Sequence, residues 1–466
     1  MTGKVEVTLN NFFIFNSTYG NNEGEEKNKI LFYHPNTDHL DTQIKNVGLA
    51  EAIIQFTASF KPDGPIKSVH TLKRRQMYFQ PEPNFWVVMT LNLPFIRKIK
   101  EGSEIIEYTE EDVQDNVYES VLKQAYHMYR LFSGTFVQAI EKTSLDILKT
   151  KLEQFFTSYF TTLKLHHCDI VNIFNGIQCL PLDKQTFLNV QCFINAMECN
   201  FPIIKHTAFL YNDHMIWSGI EPSNMQIVYQ YLIKTLLPAH LGSELLCGSM
   251  PRNQPSPFAA LHHGRFITGP ENLKASTSIG KIPRVHLYSD TDCTIYHLVV
   301  YRALSASVCL FIEEKEELDM KIFKELDDFI GPALTVIVSD IAEYCTKQVV
   351  TPSSQSETNP KFIYFNKMNL AYKSSVHLDN KQTGNIAVTK ECLKLISDIN
   401  ANKDLLEYAG EVIVKTMNDY WVVGKMSNLR EFYVALQQKN ASLIEISDEV
   451  KKLCDTELKG IFFHSL

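Results

Sequence analysis

The chain predicts an α/β (α+β) fold made of three consecutive copies of one domain. Two observations carry this expectation. The tetrapeptides FIFN, FLYN and IYFN recur at residues 13–16, 209–212 and 363–366, each an apolar, strand-like run that stops at Asn. After each of them the same succession of periodicities follows, β-β-α-β-β-β-α-α, the third copy being the shortest. A chain of 466 residues has room for two to four domains.

In the first copy, residues 11–18 pair with 30–34 across the polar, turn-rich stretch YGNNEGEEKNK. Residues 39–60 follow as a helix, capped by Asp41 or Thr42 and ended by the Pro62–Gly64 region. Residues 68–83 and 84–94 supply strands rich in β-branched and aromatic residues. The acidic stretch 101–115 reads as an exposed loop, and 117–132 and 144–163 as amphipathic helices. Residues 166–203 read as a helical connector.

The second copy opens with the hairpin 205–211 and 215–219, then a helix over 223–236. A Pro-, Ser- and His-rich insertion at 238–283 reads as a long, partly mobile loop. Strands at 284–290, 294–304 and 306–313 precede helices at 318–329 and 332–345. The apolar run 295–312 is long enough to span a bilayer, but its His297, Arg302 and serines suit two sheet strands better. The linker VVTPSSQSETNP has a disordered composition.

The third copy has the hairpin 361–366 and 369–375, a helix at 391–400 and a further helical turn at 412–417. Strands at 419–427, 429–437 and 442–446 follow, and a last helix starts at Ser447 as cap. The expected domains are thus 1–165, 204–348 and 361–466, with the connector 166–203 and the linker 349–360 between them.

Composition narrows the function. Hydrophobic residues at 45% and charged residues at 21% are those of a globular protein. A net charge of −8 argues against a nucleic-acid binder, which would need a basic face. The densest basic group, Lys73, Arg74 and Arg75 with Arg97, Lys98 and Lys100 beyond, reads as a solvated strand edge, with contact to an acidic membrane surface as the alternative. The start of the chain has no long apolar segment of the secretory kind, and ten scattered cysteines without a CxxC pair predict free thiols in the cytosol.

No phosphate-binding loop, GxGxxG, GxSxG or HExxH motif occurs. His166, His167 and Cys168, and the pair His262 and His263, fall short of four convergent metal ligands, so neither a metal nor a cofactor is expected. The chain is expected to work by its surfaces. The helix over 40–60 offers one. With about 100° between successive residues, Leu49, Ile53, Phe56 and Phe60 share one face, while Ile44, Val47 and Ile54 lie nearly opposite, around Glu51. The aromatic stripe is expected to pack on the sheet, leaving the second stripe for a partner or for another domain of this chain. Gly48 costs helix stability, roughly 1 kcal/mol against Ala, which close approach by another molecule would justify.

Specific stretches then carry a resemblance. ILFYHPN (30–36), KNVGLAEAIIQFT (45–57), NFWVVM (84–89), TAFLYNDHMIWSG (207–219), HGRFITGP (263–270), KFIYFNKMNLAYKS (361–374), NDYWVVGK (418–425) and QKNASLIEI (438–446) together resemble the calcium-caffeine-zinc-sensitivity (Ccz) family of vacuolar fusion proteins, in its animal form. The resemblance spans essentially the whole chain. It implies three longin domains, each a five-stranded, mainly antiparallel sheet flanked by helices. It also implies a heterodimer with Mon that acts as guanine-nucleotide exchange factor for the late-endosomal Rab GTPase, joined in animals by a propeller-containing scaffold subunit. The implied setting is cytoplasmic, peripheral on late endosomes, lysosomes and autophagosomes.

Such exchange needs no covalent step, because a factor that binds the nucleotide-free GTPase more tightly than the loaded one shifts the equilibrium by that difference alone. In the family the first longin domains of the two subunits form the platform for the Rab. Ile44, Val47, Gly48, Glu51 and Ile54 are therefore the expected contacts for Mon or the Rab, with Tyr33, His34 and Pro35 at the end of the second strand as further candidates. A non-catalytic longin adaptor or tether is the alternative, and a hydrolase with an unrecognised site the remote one.

Overall fold

The computed structural model describes residues 4–60, 64–100, 103–241, 264–273, 279–289, 292–349, 361–376 and 389–458. The chain divides into two compact units, 1–174 and 175–466.

The first unit holds β1 (Lys4–Val5), β2 (Thr8–Asn16), β3 (Ile30–His34), α1 (Leu40–Phe60), β4 (Ser68–His70), β5 (Arg74–Glu82), β6 (Phe85–Asn92), β7 (Phe95–Lys100) and β8 (Ser103–Tyr108). The helices α2 (Asp115–Ser133), α3 (Phe136–Lys142), α4 (Leu145–Thr162) and α5 (Val171–Phe174) complete it. Its main sheet has the antiparallel order β3-β2-β6-β5-β4. Both faces are covered, which is why β2 reads as an unbroken apolar run and not as an alternation. Phe12 and Ile14 point to the side of α2 and α4, whereas Phe13 and Phe15 point to the side of α1. Phe12 lies against Phe156 of α4 with ring centroids 5.0 Å apart. The buried Glu82 carboxylate accepts from Phe136 N at 2.7 Å, Val137 N at 2.9 Å and the Tyr126 hydroxyl at 2.8 Å, so it holds the start of α3 to the sheet.

The acidic stretch is not a plain loop. Its residues form β8, which pairs with β7, and β7 pairs with β1, making a small second sheet. Nor is the basic group wholly solvated. Arg75 is buried, and its guanidinium reaches Asp115 at the start of α2.

The second unit begins with β9 (Ile177–Gln178), α6 (Lys184–Asn200), β10 (Ile204–Tyr211), β11 (His214–Ser218) and α7 (Pro222–Tyr231), which continues through a π turn at Leu232–Leu236. Then come β12 (Gly264–Phe266), β13 (Arg284–Tyr288), β14 (Cys293–Ala303), β15 (Ala306–Glu313) and α8 (Met320–Val349). The apolar run 295–312 is indeed the two adjacent strands β14 and β15. The two helices expected before and after Pro332 are the single α8, with the proline inside it. The insertion contributes β12, paired to β14; its residues 242–263 and 274–278 lie outside the described residues, as does the linker at 350–360.

The rest of the chain forms β16 (Lys361–Asn366), β17 (Ala371–Ser374), α9 (Lys390–Ala401), α10 (Lys403–Ala409), β18 (Glu411–Lys415), β19 (Tyr420–Ser427), β20 (Arg430–Gln437) and α11 (Leu443–Glu457). The orders β11-β10-β15-β14-β12 and β18-β19-β20-β16-β17-β9 repeat the topology of the first sheet. In each, the strand bearing the tetrapeptide pairs with its hairpin mate on one side and with the last strand on the other. The terminal Asn builds the turn. Asn16 Oδ1 accepts from Thr18 N at 2.8 Å, Asn366 Oδ1 accepts from Met368 N at 3.0 Å, and Asn212 adopts φ 54°.

Two expectations in the third copy fail. Residues 412–417 begin as strand β18, not a helical turn, and 442–446 start α11 instead of forming a strand. The cap of α11 is Ser442, whose hydroxyl accepts from Glu445 N while Glu445 bonds back to Ser442 N. The connector is also more than helical. β9 adds a parallel strand to β17, the adjacent Cys179 bridges to Met215 of β11, and α6 sits in the core of the second sheet. Gly176 permits this, since a Cβ there would stand 2.3 Å from that of Tyr372.

Candidate functional site

The helix α1 lies on one face of the first sheet, and the face it turns inward is the reverse of the expected one. Val47 and Ala50 are buried, and Ile44, Ile53 and Ile54 pack beside them against Phe13, Phe15, Tyr33, Tyr78 and Trp86. Leu49, Phe56 and Phe60 point outward at 58%, 66% and 75% exposure. The reason is volume. The sheet already fills this layer with five large aromatic side chains, so the helix can approach only with small or β-branched residues. Ala50 is fully buried in that layer.

The eight candidate residues therefore divide. Val47 is core, and Ile44 and Ile54 are half-buried against the sheet. Glu51 is mostly covered, its carboxylate gripping Lys29 Nζ at 2.9 and 2.7 Å. Tyr33 is buried; it donates to Asp38 at 3.1 Å and accepts from Asn46 at 2.7 Å, and burial raises its phenol above the ordinary range. The His34 ring stands 4.8 Å from Phe160, and burial lowers its pKa. Pro35 is half-buried. Gly48 alone of the eight is on the open side, with nothing within 4 Å of where a Cβ would be.

The open side of α1 is the stripe Gly48, Leu49, Ala52, Phe56 and Phe60. Phe56 and Phe60 meet edge to face at 4.9 Å, so the two rings form one apolar ridge. Lys45 and Gln55 flank it. A ridge of this kind can bury apolar area against another protein; it has no group that could make or break a bond. Sequence reasoning named these side chains but placed them inside. The signal for the right face was the small Ala50 three residues after Val47.

One polar cluster lies elsewhere on the first sheet. Asp115 accepts from Arg75 at 2.5 Å, from Ser68 at 2.5 Å and from the His70 ring at 2.7 Å. Burial pushes its carboxyl up, but the hydrogen bonds from Ser68, His70 and Arg75 outweigh this and hold it below the usual range. Ser68 and His70 both reach the same carboxylate oxygen, so no relay runs from serine through histidine to the acid. The cluster clasps the start of α2 to the sheet edge. Among the described residues no three His, Cys, Asp or Glu side chains gather as metal ligands.

Comparison with known proteins agrees with the threefold topology. Residues 9–134 match the family described as the first longin domain of INTU, CCZ1 and HPS4, and residues 204–331 and 356–453 match Intu longin-like domains 2 and 3. The chain is thus a protein of three consecutive longin domains. Vacuolar fusion protein CCZ1 homologues are similar over nearly its whole length. That of Xenopus laevis is 47% identical, covering 98% of this chain and 97% of its own. That of Nematostella vectensis is 46% identical over 99% of both, and that of Dictyostelium discoideum 28% identical over 98% of both. The chain belongs to the CCZ1 vacuolar fusion protein family.

Proposed function

We propose that this chain is one subunit of a heterodimeric guanine-nucleotide exchange factor, pairing with Mon and activating the late-endosomal Rab GTPase. The pair stabilises the nucleotide-free GTPase and so drives endosome maturation, lysosome fusion and autophagosome clearance. In this reading the chain acts from the cytoplasm, peripherally on those membranes, in animals with the propeller-containing scaffold subunit, and supplies no bond-making group. The observation that carries it is the apolar ridge of α1 in the first longin domain. A helix of a solitary domain would not leave Leu49, Phe56 and Phe60 in water. Gly48 beside the ridge leaves room for another backbone.

The ridge, and not the stripe around Val47, is accordingly the surface assigned to Mon. The test is co-purification with Mon followed by release of a fluorescent nucleotide from the Rab. Phe56→Asp should weaken pairing and slow release by about tenfold or more, the scale of losing an apolar anchor at an interface. If pairing and release both survive that substitution, the ridge is not the contact. If the wild-type pair forms but releases no nucleotide faster than the Rab alone, the chain is a longin adaptor and not an exchange factor subunit.

A further inference from the structure

The edge strand β18, with sequence EVIVK, ends the third sheet, and among the described residues no strand pairs with its outer side. Its backbone has a definite polarity. Gly410 O accepts from Met426 N and Thr416 N donates to Tyr420 O, so the even-numbered residues bond inward to β19. In an antiparallel ladder the alternate residues then face the other way. The N–H and C=O groups of Glu411, Ile413 and Lys415 therefore face the free edge. We propose that this edge pairs antiparallel with the same edge of a second copy of the chain, about a two-fold axis through Ile413.

The backbone polarity permits that register, and two observations favour it. It sets Glu411 opposite Lys415 of the other copy, twice. Neither group has an ionic mate among the described residues: Glu411 is half-buried at the edge, and the exposed Lys415 reaches only the Lys439 carbonyl, at 3.1 Å from Nζ, and the Trp421 ring, at 4.9 Å. Opposed residues in this register are those whose backbone groups face outward, as a hydrogen-bonded antiparallel pair requires. The register also sets Met417 opposite Ala409, beside Tyr408, and Tyr408 and Met417 are 93% and 99% exposed.

Charges at an exposed edge ordinarily guard it against pairing. Here one register converts both into complementary pairs, whereas the two neighbouring registers with the same bonding pattern set Glu411 opposite Ile413 or Met417, and Lys415 opposite Ala409 or Ile413. A five-residue edge is small beside the roughly 1,000 Å² of a stable complex, so the dimer is weak and reversible. The inference is independent of the exchange-factor reading, which concerns α1.

Sedimentation of the full-length chain up to about 0.1 mM, the range of weak complexes, should detect a dimer. E411K and K415E should each weaken it by about tenfold, since like charges then face each other. Their equimolar mixture should restore it, because one chain then carries lysine at both positions and the other glutamate at both. I413P removes an outward N–H without touching the ladder to β19, so it should abolish the dimer; because the Ile413 side chain also packs on the third core, some thermal stability is lost with it, and the charge-reversed mixture, which keeps Ile413, separates lost pairing from lost folding. A wild-type chain that stays monomeric at that concentration overturns the proposal, as does a dimer that survives I413P or either reversal. An I413P-sensitive complex of a monomeric chain with some other protein's strand would equally overturn self-pairing.

Discussion

A methyl group on Gly48 would meet open solvent, since nothing lies within 4 Å of where its Cβ would stand. Gly48→Ala should therefore raise the stability of the first unit by about 0.5–1 kcal/mol, the helix-propensity difference with no steric cost. Equilibrium denaturation measures this; a loss of stability would mean the helix is strained there. Glu431 is a different case. It is fully buried, with Lys367 at 3.2 Å and Lys403 at 3.1 Å, and with Asn400 and Tyr433 as further partners. Glu431→Ala leaves both cations without their anion and should cost about 3 kcal/mol. His127 supplies a pH dependence. Burial, with Arg130 and Lys123 nearby, lowers its pKa from 6.5 to about 4. The unfolded chain thus takes up a proton below pH 6.5 that the folded chain refuses until about 4. The contribution of His127 to stability is complete above pH 6.5 and falls by about 2–3 kcal/mol as pH drops through that window. His127→Gln should flatten that slope, read from denaturation at pH 7 and pH 4.5, and an unchanged slope would assign it to other groups.

At the scale of the element, α1 separates stability from docking. Val47→Asp buries an unpaired carboxylate under the helix and should destabilise the first unit by several kcal/mol. Phe56→Asp, on the open side, should leave unfolding within about 0.5 kcal/mol of wild type. If both behave alike, α1 does not turn its Val47 face to the sheet. Periodicity made both stripes of α1 legible, but not which faces the sheet. That choice depends on the side chains of β2, β3, β5 and β6 that fill the layer beneath, which are far away in sequence. The same limit explains the errors in the third copy. VIVKTM (412–417) reads as a helical turn because it is short and follows a helix, yet its β-branched residues Val412, Ile413 and Val414 complete a ladder with β19. SLIEI looks like a strand for its Leu and Ile, but the S-x-x-E spacing at Ser442 and Glu445 is a helix start, and it overrides the local propensity.

For the whole molecule, the threefold repeat was legible because the hairpin and its Asn turn are local features. What the sequence hid was the join between the second and third copies, since β9 is two residues long and its pairing is with β17, far along the chain. That join predicts cooperativity. The segment 175–203 gives β9 to the third sheet, a bridge through Cys179 to the second, and the buried Val190, Phe193, Ile194 and Met197 of α6 to the core beneath the second sheet. Within the second unit this segment thus touches both sheets. A fragment of residues 175–466 should unfold in a single transition. A fragment of 204–466 loses four buried apolar side chains of α6, each contributing about 1.5–3 kcal/mol, and should either split into two transitions or fail to hold the second sheet together. Calorimetry distinguishes the outcomes. A 204–466 fragment that unfolds in one transition at the same temperature as 175–466 would mean the two longin domains are held by other contacts, and that β9 and α6 are only a covering strap.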